Sequence, residues 1–170
     1  MTKHLHVGWL DRLWQGTRAA LGVRLSDARG ALARARATLE RAGAVAMMID
    51  QVPDHPRHAV PVAFLGRPAL ADRGPAALAA SAGCPLVVAA SRRDARGEHE
   101  LCVLCVLVPP PRPGRAWVEE ATRAATAALE RFVRASPSQW LWLHRRWKPM
   151  LAAPCSTTPS SSPAAASTAA

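Results

Sequence analysis

The segment Ala44-Val-Ala-Met-Met-Ile49 is a short, continuous apolar run, and the polar residues Asp50 and Gln51 follow it at once. A run of this length without alternating polar residues is typical of a strand buried on both faces of a parallel sheet. Parallel strands need long crossover connections, which are usually helices. The segment therefore predicts an α/β fold. Asp50 would lie at the carboxyl end of the strand, where open α/β sheets build their ligand sites.

Two helices are predicted on the N-terminal side of this strand. Residues Gly8 to Leu21 carry leucine and tryptophan at near-helical spacing, and Gly22 ends the pattern. A second helix is predicted from Asp27, after an N-cap at Ser26, to about Ala42. Residues 23–25 between the helices are compatible with a short strand.

Strands and helices continue to alternate on the C-terminal side. Strands are predicted over Val60–Leu65, Pro85–Ala90 and Glu98–Val108, and the last two form a hairpin around a polar turn. Helices are predicted over Gly74–Ala82 and Ala116–Arg134. This order of elements predicts an α/β fold with a mixed, mainly parallel sheet flanked by helices.

The chain has 170 residues, which suffice for one domain with a substantial core. We predict that residues 1–150 form this domain. From Pro154 onward only Pro, Cys, Ser, Thr and Ala occur. Such a composition cannot bury enough apolar surface to fold, so residues 151–170 are predicted to be a disordered tail.

The formal charge is +10, from 22 Lys and Arg against 12 Asp and Glu. Such a chain favours anionic partners, namely nucleic acid, an anionic membrane surface, phosphorylated lipid or an acidic protein, and the charge does not choose among them. The N-terminal residues lack the apolar segment of a signal peptide, and no apolar run has the length of a membrane-spanning helix. We therefore expect any membrane contact of these residues to be peripheral.

Cys102 and Cys105 form a C-x-x-C within the strand predicted over residues 98–108. Residues three apart on a regular strand point to opposite faces, so the two thiols are predicted to be poorly placed to share a metal. Neither a second cysteine pair nor a histidine pair follows at zinc spacing. We interpret the cysteines as ordinary buried thiols in a reducing, cytoplasmic setting.

The segment Pro137-Ser-Gln-Trp-Leu-Trp-Leu-His-Arg-Arg-Trp-Lys148 combines three tryptophans with four basic groups. Tryptophan favours surfaces that are apolar at one end and wet at the other, and arginine binds phosphate or carboxylate in a bidentate manner. These residues alone indicate an interfacial anchor or an anion site. The alternative is a C-terminal helix that packs its tryptophans into the core and leaves its arginines in solvent.

The same segment, which we call the Trp/Arg motif, resembles the C-terminal motif of bacterial lipid A biosynthesis acyltransferases, in the lysophospholipid acyltransferase superfamily. Other blocks resemble this family in the same order along the chain, and together they cover about Leu10 to Lys148. They are Leu10–Gly22, Ala44–Gln51, Val60-Pro-Val-Ala-Phe-Leu-Gly-Arg-Pro-Ala69 and Gly74–Val88.

The resemblance implies transfer of a fatty acyl chain from an acyl carrier protein or CoA thioester to a hydroxyl of a lipid A precursor or a lysolipid. It implies no cofactor and no metal, and a peripheral location at the cytoplasmic face of the bacterial inner membrane. The residues that it assigns to binding of the anionic lipid are Phe64, Gly66, Arg67, Trp140, Trp142, His144, Arg145 and Arg146.

In the family, the chemistry belongs to a His-x4-Asp/Glu motif, in which the histidine is the general base and the carboxylate orients its imidazole. That motif precedes the segment that Leu10–Gly22 resembles. We therefore expect it to be missing from this sequence and the chain to be a truncated version of the domain. His6 and Asp11 do have the motif's spacing. Their alternative interpretation is a surface histidine beside a solvated aspartate.

Arg18 and Asp50 match positions that the resemblance places near the active centre, and we expect them to pair. An ordinary structural ion pair is the alternative. Two further functions remain open for the whole chain. One is a non-catalytic remnant that binds anionic lipid. The other is a nucleic-acid binder, which is disfavoured because the basic residues are dispersed and no nucleic-acid motif occurs.

Overall fold

The computed structural model describes residues 7–23, 30–53, 55–143 and 146–147. Several predictions fall outside these residues, namely the N-cap at Ser26, the site residues His6, His144 and Arg145, and the tail over 151–170. The described helices are α1 (Gly8–Ala20), α2 (Ala31–Glu40), α3 (Gly74–Ala82) and α4 (Arg115–Ala135), and the strands are β1 (Ala59–Phe64), β2 (Arg67–Asp72), β3 (Leu86–Arg93) and β4 (His99–Leu107). Single 3₁₀ turns span Pro56–His58 and Pro137–Gln139.

The first hairpin joins β1 to β2 through a tight turn at Leu65 and Gly66. Both residues have positive φ angles, 53° and 76°, as the two central positions of a type I′ turn require. Antiparallel pairing then runs from Phe64 opposite Arg67 to Ala59 opposite Asp72. The sequence predicted β1 but assigned residues 66–68 to a turn, so β2 was not anticipated.

The second hairpin, β3–β4, confirms the predicted pair of antiparallel strands. Its register shifts between Val88 and Ala89, so that Val88 faces Cys105 while Ala90 faces Cys102. The shift is a β-bulge, which puts an extra residue into β4. Because Val88 and Ala90 lie two apart on one strand, their partners Cys102 and Cys105 lie on one face of the sheet. The prediction that the two thiols point to opposite faces is therefore wrong.

The segment Ala44–Ile49 is not assigned to a strand. Its burial alternates, with Met48 79% exposed and Ile49 packed against the core. This is an extended segment buried on one side, rather than the strand buried on both faces that the sequence predicted. Among the described residues both sheets are two-stranded and antiparallel. The α/β class is thus confirmed, and parallel pairing stays a prediction.

Helix α4 carries the core, as its predicted apolar face required. The small buried residues Ala125 and Ala128 pack against Val88 of the second hairpin, and Ala121 packs with Ala76 of α3. Phe64 of β1 packs with Leu129 and Val133 towards its C-terminal end. The two hairpins are therefore held side by side on one helix. Among the described residues, no helix has the length and hydropathy that crossing a bilayer requires.

Candidate functional site

The candidate site is centred on Phe64, the last residue of β1, whose side chain is fully buried. Two tryptophans of the Trp/Arg motif lie against it. The ring centroid of Trp140 is 5.8 Å from that of Phe64, with an angle of 44° between the ring planes. The centroid of Trp147 is 6.0 Å from that of Phe64, with an angle of 43°. Such tilted contacts are favourable arrangements for aromatic pairs. The structure thus brings Phe64 into contact with Trp140 and Trp147 of the Trp/Arg motif.

Polar contacts fix the same arrangement. The Trp147 indole Nε1 donates to the Phe64 carbonyl oxygen at 3.3 Å, which satisfies the polar atom of a half-buried tryptophan. The Arg67 guanidinium lies over the Trp147 ring, 5.3 Å from its centroid. Arg67 itself is exposed. It can therefore present its remaining donors to solvent or to an anion while its position is held by the ring.

Arg146 lies beneath this surface, with only 1% of the residue exposed. Its Nη1 donates to the carbonyl oxygen of Leu70 in β2, and its guanidinium lies 5.0 Å from the Phe64 ring centroid. Within the described part of the chain, neither Nε nor Nη2 of Arg146 has a hydrogen-bond acceptor. Burial lowers the pKa of Arg146, and the neighbouring carboxylate of Asp50 acts in the opposite direction. Arg146 is therefore a buried cation with Asp50 as a nearby compensating charge.

This neighbourhood gives Asp50 a setting that the sequence did not predict. Asp50 was expected to pair with Arg18, whose guanidinium instead lies over the Trp14 ring of its own helix, 4.5 Å from the centroid. Asp50 is half-buried and lies close enough to Arg146 to influence its charge. The catalytic assignment of Arg18 and Asp50 stays a prediction.

The other predicted binding residues lie at the edge of the cluster. Gly66 occupies the turn between β1 and β2, and a Cβ added there would meet no atom within 4 Å. Trp142 is 52% exposed, and its indole Nε1 donates to the Pro137 carbonyl oxygen at 2.8 Å.

The catalytic candidate Asp11 lies on α1. It accepts a hydrogen bond from the Nε2 atom of Gln15, one turn further along the helix, at 3.0 Å.

Two residues that the sequence did not single out also shape this region. The Glu130 carboxylate of α4 pairs with Arg134 at 2.7 Å and lies near the backbone N–H of Leu65, and both lower the pKa of Glu130, the arginine more strongly. Gln139 of the Trp/Arg motif bonds to the backbone of Arg93 at the end of β3. The proximity of Glu130 to Leu65 and the contact of Gln139 with Arg93 have no signal in the sequence, because each joins residues far apart in the chain.

A groove of about 420 Å³ lies beside this second contact, lined by residues 92–95 and 135–139. It is separate from the Phe64 cluster, and none of the predicted site residues lines it. Among the described residues, no group of three or more His, Cys, Asp or Glu side chains is arranged to hold a metal ion. The polar chemistry of the Phe64 cluster is therefore that of guanidinium and indole donors, which suits an anionic or carbonyl-bearing ligand.

A family model described as "Bacterial lipid A biosynthesis acyltransferase" matches residues 1–149. The chain belongs to this family. A comparison with curated proteins gave no significant match.

Proposed function

We propose that this chain takes part in transferring a fatty acyl chain from an acyl carrier protein or CoA thioester to a hydroxyl of a lipid A precursor or a lysolipid. The observation that carries the proposal is the convergence at Phe64 of two blocks that resemble the family, the segment Val60–Ala69 and the Trp/Arg motif. The family match over residues 1–149 supports the reaction class. Acyl transfer would take place at the cytoplasmic face of the inner membrane, where the chain would be bound peripherally.

The chemistry requires a base that removes the acceptor hydroxyl proton while the oxygen bonds to the thioester carbonyl carbon. The carbon–sulfur bond then breaks, and the departing thiolate takes up a proton. His6 and Asp11 have the spacing for base and orienting carboxylate, and Arg18 and Asp50 are the further catalytic candidates. The Phe64 cluster would hold the acceptor, with Arg67 reaching its anionic groups.

A second candidate is a binding module that holds anionic lipid without turnover. The exposed Arg67 over the Trp147 ring supports it, because this guanidinium can bind an anionic lipid without any base. In that case the Phe64 cluster would bind the acceptor lipid, and the base would belong to another chain or segment.

The test is an acyltransferase assay with acyl carrier protein thioester or acyl-CoA as donor and with lipid A precursor or lysolipid as acceptor. The wild type is compared with His6→Ala, with His4→Ala as the matched histidine control. Arg18→Ala is compared with Arg41→Ala, a control at an exposed arginine outside α1. A loss of turnover in His6→Ala, with His4→Ala retaining activity, supports the enzyme and its base.

Binding of the acceptor lipid is measured on the same proteins. A folded wild type that binds lipid A precursor without turnover supports the binding module instead. A wild type that neither binds the acceptor nor transfers an acyl group contradicts both functions. Lipid binding that survives in Phe64→Leu but is lost in Arg67→Gln would assign the contact to the guanidinium rather than to the packing beneath it.

A further inference from the structure

Helix α1 has a mainly apolar side. With about 100° between successive residues, the large apolar side chains Trp9, Leu13, Leu10 and Trp14 fall within an arc of about 140°. The same arc holds Thr17, whose hydroxyl donates to the Trp14 carbonyl oxygen of the helix itself. The four apolar residues are all exposed, with Trp9 at 64% and Leu13 at 58%. No residue of the helix is buried. The apolar side of α1 therefore contributes nothing to the core that the described residues form.

The polar side of α1 is the less exposed side. The three half-buried residues of the helix are Asp11, Gln15 and Arg18, which share an arc outside the apolar stripe, with Arg18 at the border of the stripe beside Trp14. An amphipathic helix of a globular protein normally has the reverse arrangement, with its apolar stripe facing the core. The apolar stripe of α1 is thus directed away from the protein body.

The residues at the borders of this stripe suit a lipid surface. Trp9 and Trp14 stand at its two edges, and each edge is followed by an arginine, Arg12 beyond Trp9 and Arg18 beyond Trp14. The Arg18 guanidinium already lies over the Trp14 ring, 4.5 Å from its centroid. Tryptophan prefers the level of the lipid headgroups, and long cationic side chains there can reach phosphates while their stems stay in apolar surroundings.

We propose that α1 is an in-plane membrane anchor that inserts Trp9, Leu10, Leu13 and Trp14 into the surface of an anionic bilayer, with Arg12 and Arg18 contacting lipid phosphates. The formal charge of +10 adds a general attraction to such a surface. This inference deepens the membrane-surface part of the proposed function and rests on it for the choice of lipid. It does not depend on acyl transfer.

A second copy of the chain is a poorer occupant of this surface. A helix of 13 residues is about 20 Å long, so its stripe offers on the order of 200 Å². A stable interface buries about 800 Å² on each partner. Arginines border the stripe on both sides, so two copies meeting through it would bring like charges together. A bilayer rich in phosphate instead complements both borders.

The test uses the full chain and vesicles of pure phosphatidylcholine or of an equal mixture with phosphatidylglycerol, without acyl donor or acceptor. Binding is measured by co-sedimentation, and insertion by quenching of tryptophan fluorescence with brominated lipid. Trp9→Ser/Leu13→Ser should weaken binding to the anionic vesicles at least tenfold and remove part of the quenching. Arg12→Gln should weaken binding to anionic vesicles more than to neutral ones.

The matched control is Leu101→Ser/Val103→Ser, which removes two apolar side chains that are also exposed, at 72% and 62%, from the open face of β4. It should bind vesicles as the wild type does. Far-ultraviolet circular dichroism checks that both double variants remain folded.

Equal binding by the α1 variant and the wild type would overturn the proposal, and so would equal losses in both double variants. Self-association in ultracentrifugation that the α1 variant abolishes would assign the stripe to a second copy instead. Because no substrate is present, these outcomes are independent of whether the chain catalyses acyl transfer.

Discussion

The side-chain amide of Gln139 pairs with the backbone of Arg93, accepting from its N–H at 3.1 Å and donating to its carbonyl oxygen at 3.4 Å. The two residues lie 46 positions apart. Gln139 is the third residue of the Trp/Arg motif, which follows α4, and Arg93 is the last residue of β3. This amide therefore fastens the motif to the second hairpin, while Trp140 and Trp147 fasten it to the first.

We expect Gln139→Ala to lower the free energy of unfolding by about 1 kcal/mol, since it removes two exposed hydrogen bonds whose net contributions are modest. Gln139→Glu should lie between the wild type and the alanine variant, because a carboxylate can accept from the Arg93 N–H but cannot donate to its carbonyl. Urea unfolding followed by circular dichroism measures the differences. Ser138→Ala is the neighbouring control. If it costs as much as Gln139→Ala, the paired amide has no special role.

Phe64 should be the most sensitive single position of the candidate site. Its fully buried ring contacts two tryptophans and the Arg146 guanidinium, so its removal leaves a cavity at their junction. We expect Phe64→Ala to cost about 3–5 kcal/mol and Phe64→Leu distinctly less, since leucine refills part of the volume. Near-ultraviolet circular dichroism should lose tryptophan signal in Phe64→Ala. Val62→Ala, at a half-buried position of the same strand, is the control, and a cost equal to that of Phe64→Ala would refute the central role of the ring.

Local patterns predicted most of the elements and the pairing of β3 with β4, but not the pairing of β1 with β2. Helices α1, α3 and α4 and strands β1, β3 and β4 follow from apolar spacing and from glycine or proline at their ends. Strand β2 was missed because Gly66-Arg-Pro68 carries turn residues, although the I′ turn is completed by Leu65 and Gly66 and leaves Arg67 free to begin a strand. The bulge in β4 was missed because nothing in its apolar run marks where the extra residue lies. Because the extra residue was not predicted, Cys102 and Cys105 were predicted to lie on opposite faces of the sheet, whereas they lie on the same face.

The candidate site was predicted in outline through family resemblance, and its geometry required the structure. The sequence could not show that Phe64 and the Trp/Arg motif meet, because more than 70 residues separate them and no local pattern encodes the contact. The sequence also gave no sign that Arg146 is buried and Arg67 exposed. Only the fold distinguishes them, since Arg146 is 1% exposed and Arg67 lies on the surface.

Glu130 should contribute a component of stability that depends on pH. Its contacts with Arg134 and the Leu65 N–H hold its pKa in the folded state below the ordinary value of 4.5. The unfolded chain therefore binds this proton more readily, and acidification favours unfolding. The contribution should be complete above the ordinary pKa and be lost as the pH falls through the lower folded-state pKa. Denaturant unfolding of wild type and Glu130→Gln between pH 7 and pH 3 should give a difference that shrinks with acid.

Glu119 provides the control for this prediction on the same helix. Arg115 and Arg123 lower its pKa too, but the pairs are exposed to solvent. Exposed pairs contribute little and are screened by salt. Glu119→Gln should therefore show a smaller difference that disappears in high salt. A Glu130→Gln difference that stays constant between pH 7 and pH 3 would count against the contact with Leu65 and Arg134.

Variants of Arg146 distinguish a structural role of its buried guanidinium from a role in ligand binding. Burial disfavours its charge, while Asp50 and the Leu70 carbonyl oxygen stabilise it. Arg146→Met keeps most of the volume against Phe64 but removes the charged donor to the Leu70 carbonyl oxygen, and the loss of such a hydrogen bond costs about 1.5–3 kcal/mol. Arg146→Ala should cost more, since it adds a cavity. Arg67→Met, at the exposed arginine of the same cluster, should change stability by no more than about 0.5 kcal/mol. Unfolding in urea, followed by tryptophan fluorescence, ranks the three variants. An Arg146→Met variant as stable as the wild type, but deficient in binding lipid A precursor, would show instead that the buried guanidinium serves the ligand.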